Sequence, residues 1–147
     1  MTEDVQLDWR QRIDRAKQLL EERLSEDVPL EELAAAVHAS PFHFHRLFRG
    51  LTGETVRAYV RRLRLERAAH RLTRSEDDIL TIALECGYES HEAFTRAFKR
   101  QAGVTPSVFR AERRDRLERQ QAGDDAMTPS EMQLRIEHVP ARRVAFV

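Results

Sequence analysis

The sequence predicts an all-α fold of seven helices, arranged as two helix-turn-helix motifs joined by a long linker helix, with a short C-terminal tail whose pattern suits a β-hairpin. Three observations lead there. Apolar residues recur at helical spacing along most of the chain, and strand-like alternation begins only after residue 130. Only five Gly and five Pro occur in 147 residues that are 41% apolar and 34% charged, the balance of a soluble helical protein. The stretch "SPFHFHRLFRGLTG", residues 40–53, also has a near copy fifty residues later in "SHEAFTRAFKRQAG", residues 90–103. That shift carries Phe44 onto Phe94, Arg46 onto Arg96, Phe48 onto Phe98, Arg49 onto Lys99, Gly53 onto Gly103 and Tyr59 onto Phe109.

The elements follow in order. Trp9, Ile13, Ala16, Leu20 and Leu24 share one face of an amphipathic helix over 7–24. Leu30, Leu33, Ala34 and Val37 make a second, short helix that breaks at His38 and Ala39. Ser40 is a natural N-cap, and Pro41 suits the first helical position, where its missing N–H costs nothing. That helix runs to Thr52 and stops at Gly53. Val56, Tyr59, Val60, Leu63 and Leu72 mark a linker helix over 55–73, a rod about 27 Å long at roughly 1.5 Å per residue. The acidic turn "RSEDD" ends it, and Asp77 or Asp78 caps the short helix "ILTIALECG", which closes at Gly87. Ser90 caps the sixth helix, ending near Gly103, and Thr105 caps the seventh, with Pro106 at its first position. The first motif thus covers 30–53 and the second 79–103.

The formal net charge is zero, but its distribution is uneven. Residues 1–39 hold five Lys/Arg against ten Asp/Glu, whereas residues 40–75 hold nine Arg against only Glu54 and Glu66. A basic face, rather than a basic total, is what a polyanion requires. A helix surface merely solvated by arginine is the competing reading of such a run.

At 100° per residue, Phe42, His45, Arg46 and Arg49 fall within one arc, with Phe44, Leu47, Phe48 and Leu51 opposite as the core side. In the copy, Phe94, Ala97, Phe98 and Ala102 form the core side, Glu92, Thr95, Arg96 and Lys99 the outward arc, and His91 the tip. A core explains recurrent apolar residues. It does not explain recurrent outward cations. The arrangement in each copy is helix, tight turn, then an exposed basic helix, a form that fits the major groove. The candidate DNA contacts are Ser40, Phe42, His43, His45, Arg46 and Arg49 in the first copy and Ser90, His91, Glu92, Thr95, Arg96 and Lys99 in the second. Arg46 and Arg96 suit guanine or phosphate, Glu92 cytosine N4, and Phe42 the thymine methyl, while the helix starts at Ser40 and Ser90 offer backbone N–H groups to phosphate.

Other chemistries find little support. His43 and His45 point about 200° apart on a helix and cannot chelate one ion. Cys86, the single cysteine, sits at an apolar position and makes no internal disulfide. No GxGxxG, Walker loop, HExxH or nucleophile elbow occurs, so no enzyme, cofactor, metal or catalytic residue is expected. No apolar run suits a bilayer and the first residues are not signal-like, so a cytoplasmic protein without a membrane partner is expected.

These residues resemble the AraC/XylS family of bacterial transcription regulators. The resemblance covers roughly residues 8–112 and rests in the second motif on Ala83, Gly87, Tyr88, Ser90, Phe94, Arg96, Phe98, Lys99, Gly103, Thr105, Pro106, Phe109 and Arg110. It implies a double helix-turn-helix DNA-binding unit, double-stranded DNA as partner, and base-reading roles for Phe42, His45, Arg46, His91, Glu92, Thr95 and Arg96. Phe42 and Glu92 depart from the commoner polar choices. The first turn lacks Gly, so His38 or Ala39 must take the turn conformation. Binding as a monomer is expected, and a contact with RNA polymerase is admitted without a surface assigned to it.

Residues 113–131 read as a charged helix end passing into a linker, and 132–147 as the opening hairpin of a gyrase-inhibitor-like effector domain, with Met132, Leu134, Ile136 and Val139 alternating before Pro140. The chain then resembles a truncated form whose small-molecule effector pocket is missing. A helical module that applies the basic face to an acidic protein, or a ligand-responsive regulator once the full effector domain is present, are the alternative functions.

Overall fold

The computed structural model describes residues 2–122, with side chains from Asp8 onward; the expected linker end and hairpin at 123–147 lie outside the described residues. Seven helices follow one another: α1 Thr2–Glu22, α2 Leu30–Ala36, α3 Pro41–Thr52, α4 Val56–Arg74, α5 Ile79–Glu85, α6 His91–Ala102 and α7 Pro106–Gln121. No strand occurs among the described residues. The helix α7 continues well into the stretch read as linker, because nothing in "RRDRLERQ" breaks a helix. The first compact unit runs as far as Leu63 and the second begins at Arg64, both within α4.

In the first unit α1, α2, α3 and the start of α4 enclose Ile13, Ala16, Leu20, Leu33, Ala34, Val37, Phe44, Phe48 and Tyr59. Phe44 and Phe48 are wholly buried, each worth roughly 1.5–3 kcal/mol of apolar transfer. Phe48 meets Phe44 at 5.7 Å between ring centres and Tyr59 edge-on at 5.5 Å. The Tyr59 hydroxyl donates to Glu21 at 2.9 Å, and burial followed by that hydrogen bond pushes the phenol well above its ordinary pKa. Leu51 departs from the expected core side: it is 45% exposed, in the last turn of α3.

The second unit repeats this arrangement. Leu65, Ala68, Ala69 and Leu72 of α4 join Ile82, Ala83, Cys86, Phe94, Phe98, Ala102 and Phe109. Phe98 meets Phe94 at 5.6 Å and Phe109 edge-on at 5.3 Å, the same three-ring ladder on the residues that the fifty-residue shift pairs. Arg110 of α7 donates to the carbonyls of Leu72 at 3.4 Å and Asp77 at 2.6 Å, so it holds the end of α4 and the turn into α5.

Each motif turns in the same way. The Ala39 N–H bonds the Ala34 carbonyl and the His38 N–H the Ala35 carbonyl, while Tyr88 bonds Ala83 and Gly87 bonds Leu84. This is the Schellman ending, which needs a left-handed residue after the helix. His38 takes that place at φ 57° and Gly87 at φ 86°. The turns differ in length by one residue, since Glu89 has no counterpart before Ser40. The first helices of the motifs therefore correspond at a shift of forty-nine and the second helices at fifty.

Candidate nucleic-acid interface

The helices α3 and α6 owe their definition to their ends. Ser40 Oγ accepts from the His43 N–H at 3.3 Å and Ser90 Oγ from the Ala93 N–H at 3.1 Å, so each serine already occupies one of the orphan donors. Gly53 and Gly103 close the helices, their N–H groups bonding the carbonyls of Arg49 and Lys99.

On α3 the buried pair Phe44 and Phe48 fixes which side is left outward. Phe42, Arg46 and Arg49 stand exposed there, and Phe42 is 72% exposed. The Arg46 guanidinium lies over the Phe42 ring, 5.7 Å from its centre. His45 is half-buried at the edge of this face. His43, also among the expected contacts, is exposed but has its ring edge-on to Trp9 of α1 at 4.9 Å, so it is tied to the neighbouring helix.

On α6 the exposed side carries His91, Glu92, Arg96, Lys99 and Arg100. Ser90 is half-buried. Thr95, at the position of α6 that matches His45 on α3, is likewise half-buried, and its Oγ1 is shut off from solvent with no hydrogen-bond partner among the described residues.

The nine arginines of 40–75 divide by task. Arg62 is paired with Glu54 at 2.7 Å and lies over the Tyr59 ring. Arg64 donates to the Gly87 carbonyl at 3.1 Å. Arg71 pairs with both Asp77 and Glu85. The exposed members are Arg46, Arg49, Arg57, Arg61, Arg67 and Arg74. Charge counting alone treats all nine as available to a polyanion, and three are instead used inside their own units.

Asp78 and Cys86 serve the fold of the second unit. Asp78 accepts from the Thr81 N–H at 2.8 Å as N-cap of α5, and this bond, followed by one from the Thr81 hydroxyl, holds its carboxyl below the ordinary value. Burial pushes the Cys86 thiol up. The roles of Arg64 and Arg12, which reaches the Val37 carbonyl at 3.4 Å, escape sequence reasoning because their partners lie 23 and 25 residues away.

Each unit thus ends a Schellman turn in a serine-capped helix whose dry side is pinned by two phenylalanines and whose wet side carries cations. The family model described as a helix-turn-helix domain matches residues 33–112. The chain is 38% identical over 91 residues to the transcriptional regulator Rob of Salmonella typhimurium, a match that covers 62% of this chain and 32% of that protein. It spans about a third of the length of the curated relatives it matches first. Among solved structures, the DNA-binding domain of AdpA, a global transcriptional factor crystallised with a target DNA, superimposes at a TM-score of 0.67 with 32% identity, covering 71% of this chain and 94% of that one. An AraC-type DNA-binding domain protein from Chromobacterium violaceum gives the same TM-score at 29% identity, covering 71% and 93%.

Proposed function

The chain belongs to the AraC/XylS-type helix-turn-helix family, and from that premise we propose that it is a sequence-specific DNA-binding transcription regulator, each of α3 and α6 taking one major-groove segment. The observation that carries the reading is the second appearance, on an independently packed unit, of an outward cation pair: Arg46 and Arg49 on α3, Arg96 and Lys99 on α6, all exposed. Neither pair belongs to the buried core of its unit, whereas a phosphate-lined groove uses both. The relative crystallised with its target DNA supports the same reading.

In this reading Arg46 and Arg96 reach guanine or phosphate, Glu92 accepts from cytosine N4, and the helix starts at Ser40 and Ser90 sit near phosphates. Arg49 and Lys99, farther along each helix, supply sequence-independent charge. One chain carries both helices, so a monomer suffices for binding, and RNA polymerase is a further protein partner. The protein works in the cytoplasm on DNA and performs no catalysis. The test is a titration of fluorescent duplexes selected from a randomised pool. Binding tighter to the selected duplex than to a scrambled one, and weakening steeply with salt, supports the proposal; equal, salt-insensitive binding overturns it.

A further inference from the structure

From the stacked pair Phe42 and Arg46 we infer that α3 reads a two-base unit, a guanine next to a pyrimidine bearing a 5-methyl group. The inference rests on the DNA-binding reading above and names the chemistry of its first contact.

A single exposed phenylalanine is ordinary on a protein surface. Phe42 differs in its company. It lies on the outward side of α3, one helical turn before Arg46, and the guanidinium stands over its ring at 5.7 Å, within cation–π range. Arg46 has no ion pair among the described residues, so the ring is what orders it. A guanidinium held in this way has less freedom to lose on binding. Its fork suits guanine O6 and N7, and the groove edge of thymine offers a methyl group that accepts only apolar contact. Successive bases are about 3.4 Å apart along a strand. A ring centre and a guanidinium 5.7 Å apart, allowing for an oblique helix, therefore address the same or neighbouring base pairs.

The other unit provides the contrast. The position matching Phe42 holds Glu92, exposed one turn before Arg96. A carboxylate there accepts from cytosine N4 and gains nothing from a methyl group. The two recognition helices keep the arginine and exchange its neighbour, so methyl sensitivity belongs to α3 alone. Thymine and 5-methylcytosine present the same methyl group, and the chemistry on α3 takes either.

The test uses the full chain and a duplex of about 30 base pairs selected from a randomised pool. Each thymine beside a guanine is replaced in turn by deoxyuridine, which removes only the methyl. At one such position affinity should fall about three- to fivefold, as expected for a buried methyl group. In a second pair of duplexes, cytosine and 5-methylcytosine are compared at that position; a gain on methylation extends the contact to both bases, and no gain restricts it to thymine, the uracil effect standing in either case. Phe42→Ala, at an exposed position, should erase the uracil effect, so that the thymine and uracil duplexes bind alike. A selected duplex that tolerates uracil everywhere, or a Phe42→Ala protein that keeps the uracil effect, overturns the inference and leaves the DNA-binding reading standing. Failure to select any preferred duplex overturns both.

Discussion

Arg64 donates from Nη1 to the Gly87 carbonyl at 3.1 Å, and its guanidinium carbon stands 2.8 Å from where a β-carbon on Gly87 would lie. The second motif's turn is thus shaped by a missing side chain and held by a cation from α4. At the matching place in the first motif, His38 carries a side chain in the same left-handed conformation. The two positions should respond oppositely. Gly87→Ala meets both backbone strain and the Arg64 clash and should destabilise by at least about 1–2 kcal/mol, whereas His38→Gly removes strain and should stabilise by about 0.5–1 kcal/mol. Thermal unfolding of the two variants checks this, and a shift in the same direction would contradict it.

Arg110 of α7 donates to two carbonyls at once, those of Leu72 and Asp77. Arg110→Ala should cost about 1.5–3 kcal/mol, the range for hydrogen bonds to a charged group. Lysine should restore only part of this, because an ammonium cannot span both acceptors as a planar fork does. Urea denaturation of the three proteins measures the difference; full rescue by lysine would show that charge alone matters there.

For DNA, Arg96→Ala should weaken the selected site by about 1–3 kcal/mol and relax its specificity at one position. Arg49→Ala should weaken all duplexes alike and lower the salt slope by about one. Both residues are exposed. Unchanged affinity in both variants would count against the assignment of the outward faces.

Acid should weaken the second unit first at its turn into α5. The hydrogen bond from Arg71 holds Asp77 below its ordinary carboxylate value, and the Thr81 N–H does the same for Asp78. Carboxylates depressed in the folded state contribute stability above the unfolded value near 3.8 and lose it as pH falls through the folded value. Asp78→Asn keeps a competent cap without the titration, so its stability between pH 5 and about 2 should decline less steeply than that of the parent. Parallel acid limbs in circular dichroism would refute the assignment.

Cys86 is wholly buried, and burial pushes its thiol up, away from the reactive thiolate. A disulfide reagent at neutral pH should leave the folded protein unmodified and react as denaturant opens the second unit. Rapid labelling without denaturant would mean that this unit opens readily on its own.

The helices, their caps and both dry stripes were legible in the sequence because each depends on residues within a turn or two: Ser40, Ser90 and Thr105 as caps, Gly53 and Gly103 as stops, and phenylalanines four apart. The duplication added the three-ring ladder, since Tyr59 and Phe109 fall into register with the same shift as the phenylalanines. Leu51 was placed on the dry side and is 45% exposed. A helical wheel assigns a side by angle alone, and burial also depends on where the neighbouring elements stop.

What the chain determined by itself is local and periodic, because capping, helix propensity and apolar spacing act over a few residues. Tertiary structure alone decided which arginines remain outward: Arg62, Arg64 and Arg71 are taken up by Glu54, the Gly87 carbonyl, and the Asp77 and Glu85 carboxylates, while Arg46 rests on Phe42 and faces water. A guanidinium pairs with whichever acceptor folding brings within about 3 Å, and spacing along a chain does not encode that distance.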